Sequence, residues 1–266
     1  MKHILKLAEE PAHALINCAG TDQRRQEILS VGLGLDPLDD HTILCATDGR
    51  VLCAARFHNS RYEPPERLGW KIAALRKLKG EFVFDLEEGR DSLRVTRVKP
   101  NVSSTKLFQP HTRNFPNVRP ILDIKDGSEA WLSEPRGVSL VLGDIGRCVN
   151  KPTYSKPGEQ GGSARALWGI SSKGHQVLLE VGQDDDLRLF GHKVVPWHRE
   201  QFKEDGKTIY FDAGLVARAL ALHVNAESVQ IIVKDVRSPA LFRSAGLVSL
   251  VMPAWSPELE LHRVIS

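Results

Sequence analysis

The sequence predicts an α+β fold of two domains, residues 1–122 and 123–266, each with helices packed on antiparallel sheets. Three observations carry this. A helix-period segment followed by several strands occurs in the first half and recurs in the second. Asp48-Gly49 stands between two apolar, strand-like runs and is a strong hairpin signal. The chain has 266 residues, 41% hydrophobic and 26% charged, which exceeds one small core and is ordinary for a globular protein.

In the first half, Glu9–Ala19 reads as a helix, with Pro11 in its first turn and Ala12, Leu15, Ile16 and Ala19 at helical spacing. ILSVGLGLD, HTILCATD and RVLCAARF follow as a meander of strands. Trp70–Lys79 returns to helix period, with Ile72, Leu75 and Leu78 on one side and Gly80 as the stop. Strands then resume: EFVFDLE and SLRVTRV alternate around a turn at Glu87–Asp91, and STKLFQ and the proline-spaced NFPNVRPIL complete the half.

Asp123–Glu134 is the expected linker. Val138–Val149 is a helix that Gly143 and Gly146 should leave irregular, and the Gly- and Pro-rich Pro152–Ser163 is a loop. ALWGIS, HQVLLEV and LRLFGHKVV are strands, with GQDDD as the turn between the last two. Asp212 caps a helix over Ala213–His223, whose buried stripe is Leu215, Val216, Ala219 and Leu222 and whose other face is small, with Gly214, Ala217 and Ala221. SVQIIVKD, ALFRSAG and LVSLVMPA close the chain's strands.

No motif offers catalysis. GEQGGS around Gly161 lacks the Lys-Ser/Thr of a phosphate loop, and no GxSxG exists. His192 and His198 have no metal-ligand spacing, and Asp184, Asp185 and Asp186 read as a solvated hairpin tip. Hence no catalytic residue, metal or cofactor is expected. Cys18, Cys45, Cys53 and Cys148 lie in apolar segments without a CxxC pair and read as buried free thiols. The five tryptophans are scattered and interleave with no basic cluster, so core packing is expected for them. The start MKHILKLAEEP turns acidic before a signal core develops and no apolar run spans a membrane, so a cytoplasmic protein with no membrane partner is expected. Net charge is +3, and residues 1–122 carry the excess, 19 Lys+Arg against 15 Asp+Glu. Within it Arg67, Lys71, Arg76, Lys77 and Lys79 form a window that either meets phosphate or is a solvated helix face.

Four segments in order are similar to the bacterial DNA sliding clamp, the β subunit of DNA polymerase III. ATDGRVLCAARF resembles a segment of that family's middle domain, keeping Ala46, Thr47, Asp48, Gly49 and Leu52. TKLFQPHTRNFPNVRPIL resembles the end of the same domain, with Thr105, Lys106, Leu107, Phe115, Pro116 and Arg119 in place. IYFDAGLVARALALH and LVSLVMPA resemble the last domain's helix and terminal strand, with Val251, Met252 and Pro253. Arg50-Val51 departs from the family's His-Arg, and Trp255–Ser266 continues past the family's usual end.

The resemblance implies a DNA-clamp fold covering the family's middle and last domains, without its first. It implies a ring that encircles duplex DNA without reading sequence and tethers a polymerase or other peptide-bearing partner. With two domains per chain, a six-domain ring is a homotrimer, of phage, plasmid or bacterial origin. By this resemblance the peptide-binding pocket is Leu29, Thr47, Gly49, Arg50, Leu52, Arg119, Leu250, Met252 and Pro253. The DNA-facing positions are Arg24, Arg76, Lys77, Lys79, Arg147 and Arg218. Plain core strands and solvated surface are the competing readings of these two sets. The rival function is a clamp-derived interaction protein that binds or inhibits a host clamp or replication protein without encircling DNA. Leu259 and Leu261 either fold back over the pocket or add a strand.

Overall fold

A computed structural model describes residues 2–37, 40–58, 62, 66–124, 127–149, 163–171, 173–182, 188–190, 199–201, 208–235 and 237–254. One order, strand, helix and three strands, runs through it four times. The first unit is β1 (Lys2–Leu7), α1 (Glu9–Cys18), β2 (Val31–Leu35), β3 (Thr42–Thr47) and β4 (Val51–Arg56). The second is β5 (Gly69–Trp70), a 3-10 turn at Ala73–Leu75 in place of a helix, β6 (Glu81–Glu87), β7 (Leu93–Lys99) and β8 (Val102–Phe108), trailed by the short α2 (Arg119–Leu122). The third is β9 (Ser128–Ser133), α3 (Pro135–Val149), β10 (Ser163–Ser171), β11 (Gly174–Gly182) and β12 (Arg188–Phe190), trailed by β13 (Arg199–Gln201). The fourth is β14 (Ile209–Asp212), α4 (Ala213–Leu220) with a 3-10 turn at Ala221–His223, β15 (Ser228–Val233), β16 (Ala240–Ser244) and β17 (Leu247–Val251).

The units exchange their first strands in pairs. β1 joins β6-β7-β8, and β14 joins β12-β11-β10. β5 joins β2-β3-β4 and β9 joins β15-β16-β17, and β4 and β17 then pair antiparallel to fuse these into one nine-stranded sheet with β13 at its end. A strand donated to its neighbour's sheet cannot leave without unpairing both units, so each half coheres.

Local chemistry explains the helices. Glu9 and Glu10 sit in the first turn of α1, where carboxylates complement the helix dipole, and Ala12, Leu15 and Ile16 bury its inner stripe. Asp212 caps α4 by accepting from the Leu215 amide at 2.9 Å. The small face of α4 meets α3: a Cβ on Gly146 would lie 3.3 Å from the Gly214 Cα, and the Ser139 hydroxyl donates to the Ala217 carbonyl at 2.9 Å. Gly143 and Gly146 therefore admit the neighbouring helix, and α3 is continuous rather than irregular.

Three further expectations are corrected. Trp70–Lys79 is not a helix: Ile72, Leu75 and Leu78 repeat every three residues, the period of a 3-10 turn, and Trp70 is taken into β5 against Val31. Asp123–Glu134 is more than a linker, because Ser128–Ser133 forms β9, paired with both β13 and β15. NFPNVRPIL is no strand: Phe115 and Val118 drop onto the cross-strand positions vacated by Gly32 and Gly34, where added Cβ atoms would lie 2.2 Å and 2.6 Å from them, and α2 follows. The Gly-rich loop from Pro152, the Asp184–Asp186 turn, His192, Trp197, His198 and the tail from Trp255 lie outside the described residues.

Helices α1 and α4 pack on one face of the nine-stranded sheet, over the larger core, and residues 115–122 cover part of the other. At the join of the two halves the fully buried Asp36 carboxylate is held by Arg243 at 3.1 Å and by Arg56 at 3.0 Å. Trp70 and Trp168 are buried, donating to the Asp91 carbonyl and to His175 Nδ1, so neither stacks on a ligand. Cys18, Cys45 and Cys53 are buried free thiols, and burial pushes Cys45 up. No described helix is long and apolar enough to cross a membrane.

Candidate peptide cleft and DNA-facing surface

The β3–β4 hairpin is tightly specified. Gly49 takes φ +92°, the Thr47 hydroxyl donates to the Val51 carbonyl at 2.8 Å, and the Asp48 carboxylate accepts from the amides of Arg50 and Val51 at 2.8 and 2.9 Å. β17 runs beside it with Leu250 opposite Leu52, and the Met252 amide donates to the Arg50 carbonyl at 2.9 Å. Leu29, Thr47, Gly49, Arg50, Leu52, Leu250, Met252 and Pro253 therefore gather at one end of the β4–β17 pair. They are unequal in access. Leu29, Leu52 and Leu250 are buried, the last two in one cluster with Phe115, Val118 and Leu122, whereas Gly49 and Arg50 are exposed and Met252 is 38% exposed.

Arg119 is not brought to this group. Its guanidinium donates to Asp40 at 3.2 Å, near the start of β3, so most of a six-residue strand, roughly 16 Å, separates it from the hairpin. There it borders a cavity of about 260 Å³ with Leu33, Leu35, Arg67, Pro116 and Val118. The sequence-derived set is thus two places, a hairpin-and-strand end with one exposed Met and a groove beside β2.

The basic set also divides. Arg24 is exposed in the loop after α1, and Lys77 and Lys79 are exposed after the 3-10 turn. Arg76 turns inward and donates to the Ala19 carbonyl at 2.8 Å, a cation at the negative end of α1. Arg147 projects from α3 and pairs with Asp144 one turn earlier. Arg218 reaches from α4 to Asp48 at 2.6 Å, linking the two halves. Burial works to raise the Asp48 carboxyl, yet the Val51 and Arg50 amides and the Arg218 guanidinium hold it below the ordinary carboxylate value.

Sequence reasoning missed Arg136, which pairs with Glu10 across α3 and α1. The signal was Pro135-Arg136 opening α3 three residues earlier than apolar periodicity indicated. It also missed Arg25, which lies over the Gly49 backbone, where an added Cβ would be 2.7 Å from a guanidinium nitrogen. Among the described residues no group of His, Cys, Asp and Glu is arranged to hold a metal ion.

No protein-family model and no curated protein matches this sequence. Solved structures do. The β subunit of the DNA polymerase of Streptococcus pyogenes superposes with a TM-score of 0.61 at 11% identity, covering 95% of this chain and 66% of that one. A DNA polymerase sliding clamp of Pseudomonas aeruginosa gives 0.60 at 14% identity, with 96% and 67% covered. The sliding clamp of Bacillus subtilis gives 0.57 at 10% identity, with 95% and 64% covered. The chain therefore spans about two thirds of the length of these subunits, and over that length its fold is that of the DNA sliding clamp, DNA polymerase III subunit β.

Proposed function

We propose that this chain is a sliding clamp, a ring-forming processivity factor that encircles duplex DNA and tethers a polymerase or another peptide-bearing partner. It makes and breaks no bond. In this reading residues 1–122 and 123–266 are two clamp domains, and three chains close a six-domain ring. The observation that carries it is architectural: four units of one strand order, three of them with a helix, are joined through one nine-stranded sheet and hold those three helices together, so one side can face a duplex. β8 supports assembly, because it is the edge of its sheet, exposed from Val102 to Leu107, with Val102 60% and Leu107 56% exposed. A head-to-tail neighbour pairing there would satisfy an edge that otherwise invites aggregation.

Phosphate contacts from Arg24, Lys77, Lys79, Arg147 and Arg218 would hold the duplex without reading bases, and therefore with strong salt dependence. The exposed Arg50 and Met252 and the half-buried Pro253 would form the mouth of the peptide cleft, with methionine adapting to the apolar anchors of different peptides. Light scattering together with retention on circular DNA tests this. The expected mass is three times the 29.6 kDa chain, with retention on nicked circles that is lost when they are linearised. A monomer that ignores circular DNA overturns the ring.

A second reading is favoured by one observation: several helix-side arginines are already paired, Arg218 with Asp48, Arg136 with Glu10 and Arg147 with Asp144. Such a wall suits a clamp-derived interaction protein that engages a host clamp or replication protein without encircling DNA. Binding to a bacterial clamp combined with failure to bind duplex DNA selects it.

A further inference from the structure

The second unit lacks the helix that the other three have. Where α1, α3 and α4 run for 10, 15 and 8 residues, it has a 3-10 turn of 3. The inner face of its sheet is left partly bare. Register identifies that face: Phe82 lies opposite Arg97 and Arg97 opposite Ser104, Phe84 opposite Val95 and Val95 opposite Lys106, and Lys99 opposite Val102. Cross-strand partners share a face. The His13 ring of α1 lies 5.9 Å from the Phe82 ring, so Arg97, Lys99 and Lys106 are on the side that carries the helices.

The composition of this strip is one-sided. The inward positions of β6, β7 and β8 hold Arg97, Lys99 and Lys106 and no carboxylate, while Glu81, Asp85 and Glu87 point outward. Glu9 and Glu81 share with Lys79 and Lys99 the cleft at the end of the strip, so Arg97 and Lys106 supply the excess charge. The buried Arg97 Nε has no hydrogen-bond partner among the described residues. Ser104 and exposed Lys106 stand where a covering helix would demand apolar side chains, so the sequence is fitted to an aqueous or polyanionic neighbour.

We propose that Arg97, Lys99 and Lys106 contact the sugar–phosphate backbone of duplex DNA directly from the sheet, in place of the missing helix. This rests on the clamp reading and adds to it a contact made by strands. Two surface-lysine variants test it in the full chain: Lys99→Gln/Lys106→Gln on the inner face, and Lys2→Gln/Lys6→Gln on the outer face of the same sheet, where both lysines are exposed. Affinity for a short linear duplex is measured over a salt series, with the mass in solution followed in parallel.

The inner variant is expected to lower the slope of log affinity against log salt by about 2, roughly 0.9 per lost phosphate contact, and the outer variant to leave it unchanged. Equal slopes for both variants and the wild type overturn the strip while leaving the clamp reading intact. An unchanged slope with an altered mass also overturns it, because the strip is then a contact between copies. A wild type without affinity for the duplex removes the clamp reading itself and the strip with it.

Discussion

The second and fourth units have the same order of elements but differ in what covers them. In the fourth, α4 and the turn after it lie over β15–β17, and β17 is buried along most of its length. In the second, three residues of 3-10 turn stand in for the helix, and β8 is exposed on both faces. The fourth unit seals a buried polar network under its helix: His223 bonds Ser244 at 2.7 Å and Ser249 at 3.0 Å, and Ser249 donates to the Ala219 carbonyl. The second unit answers its missing cover with serine and lysine on the open face. A helix is therefore dispensable to the exchanged-strand scaffold, and its loss is written into side chains of the strands.

Acid should expose this difference most strongly. Burial depresses His223 from 6.5 to about 3, and depresses His175, whose Nδ1 accepts from the Trp168 indole, to about 4. Both bases are neutral in the folded protein, and the unfolded chain binds the extra protons. Their stabilisation is full above pH 6.5 and is lost as the pH falls toward the folded values, about 4–5 kcal/mol for His223 between pH 6.5 and 3. Urea melts across this range should show the loss, and His223→Asn should flatten it; equal slopes for variant and wild type would show that the buried histidine is not what acid attacks.

Asp36→Ala should cost about 3–5 kcal/mol, because it leaves Arg56 and Arg243 facing one another at the join of the halves. Denaturant unfolding followed by tryptophan fluorescence measures it, and a cost below 1 kcal/mol would mean that the halves hold without this triad.

Gly146→Val probes the helix layer that the second unit lacks. With backbone of Gly214 only 3.3 Å from the position of a new Cβ, α3 must lift from α4, at a cost of about 1–3 kcal/mol. Trp70→Phe removes the 2.7 Å bond to the Asp91 carbonyl while keeping the ring in the core, and should cost about 1 kcal/mol in the same melts. The smallest effect is expected for Ala74→Leu on the exposed 3-10 turn, within about 0.5 kcal/mol. A cost like that of Gly146→Val would mean that the second unit packs against something after all.

Much of the fold was legible because several elements announce themselves locally. The apolar stripe of α1, the Asp212 cap of α4 and the Asp48-Gly49 hairpin depend on residues within a few positions of one another. The site was less legible. Leu52 and Leu250 are nearly two hundred residues apart and become neighbours only through the β4–β17 pairing, which also buries them. Arg119 sits beside Phe115 and Pro116 in the chain but is carried to the far end of β3 because Gly32 and Gly34 seat Phe115 and Val118 on that sheet. β1 was hidden by a misleading alternation, since His3 points in, bonded to Glu88, while Ile4 points out.

By itself, then, the sequence determined the class of fold, the helix-then-strands order, the hairpin and the absence of any recognisable catalytic motif, all of which follow from spacing along the chain. The tertiary structure alone decided which strands are exchanged between units, that Trp70 joins β2 instead of starting a helix, and which arginines are already held by carboxylates. Those outcomes turn on long-range competition for the same backbone donors and the same buried area, and a local pattern contains no record of which competitor wins.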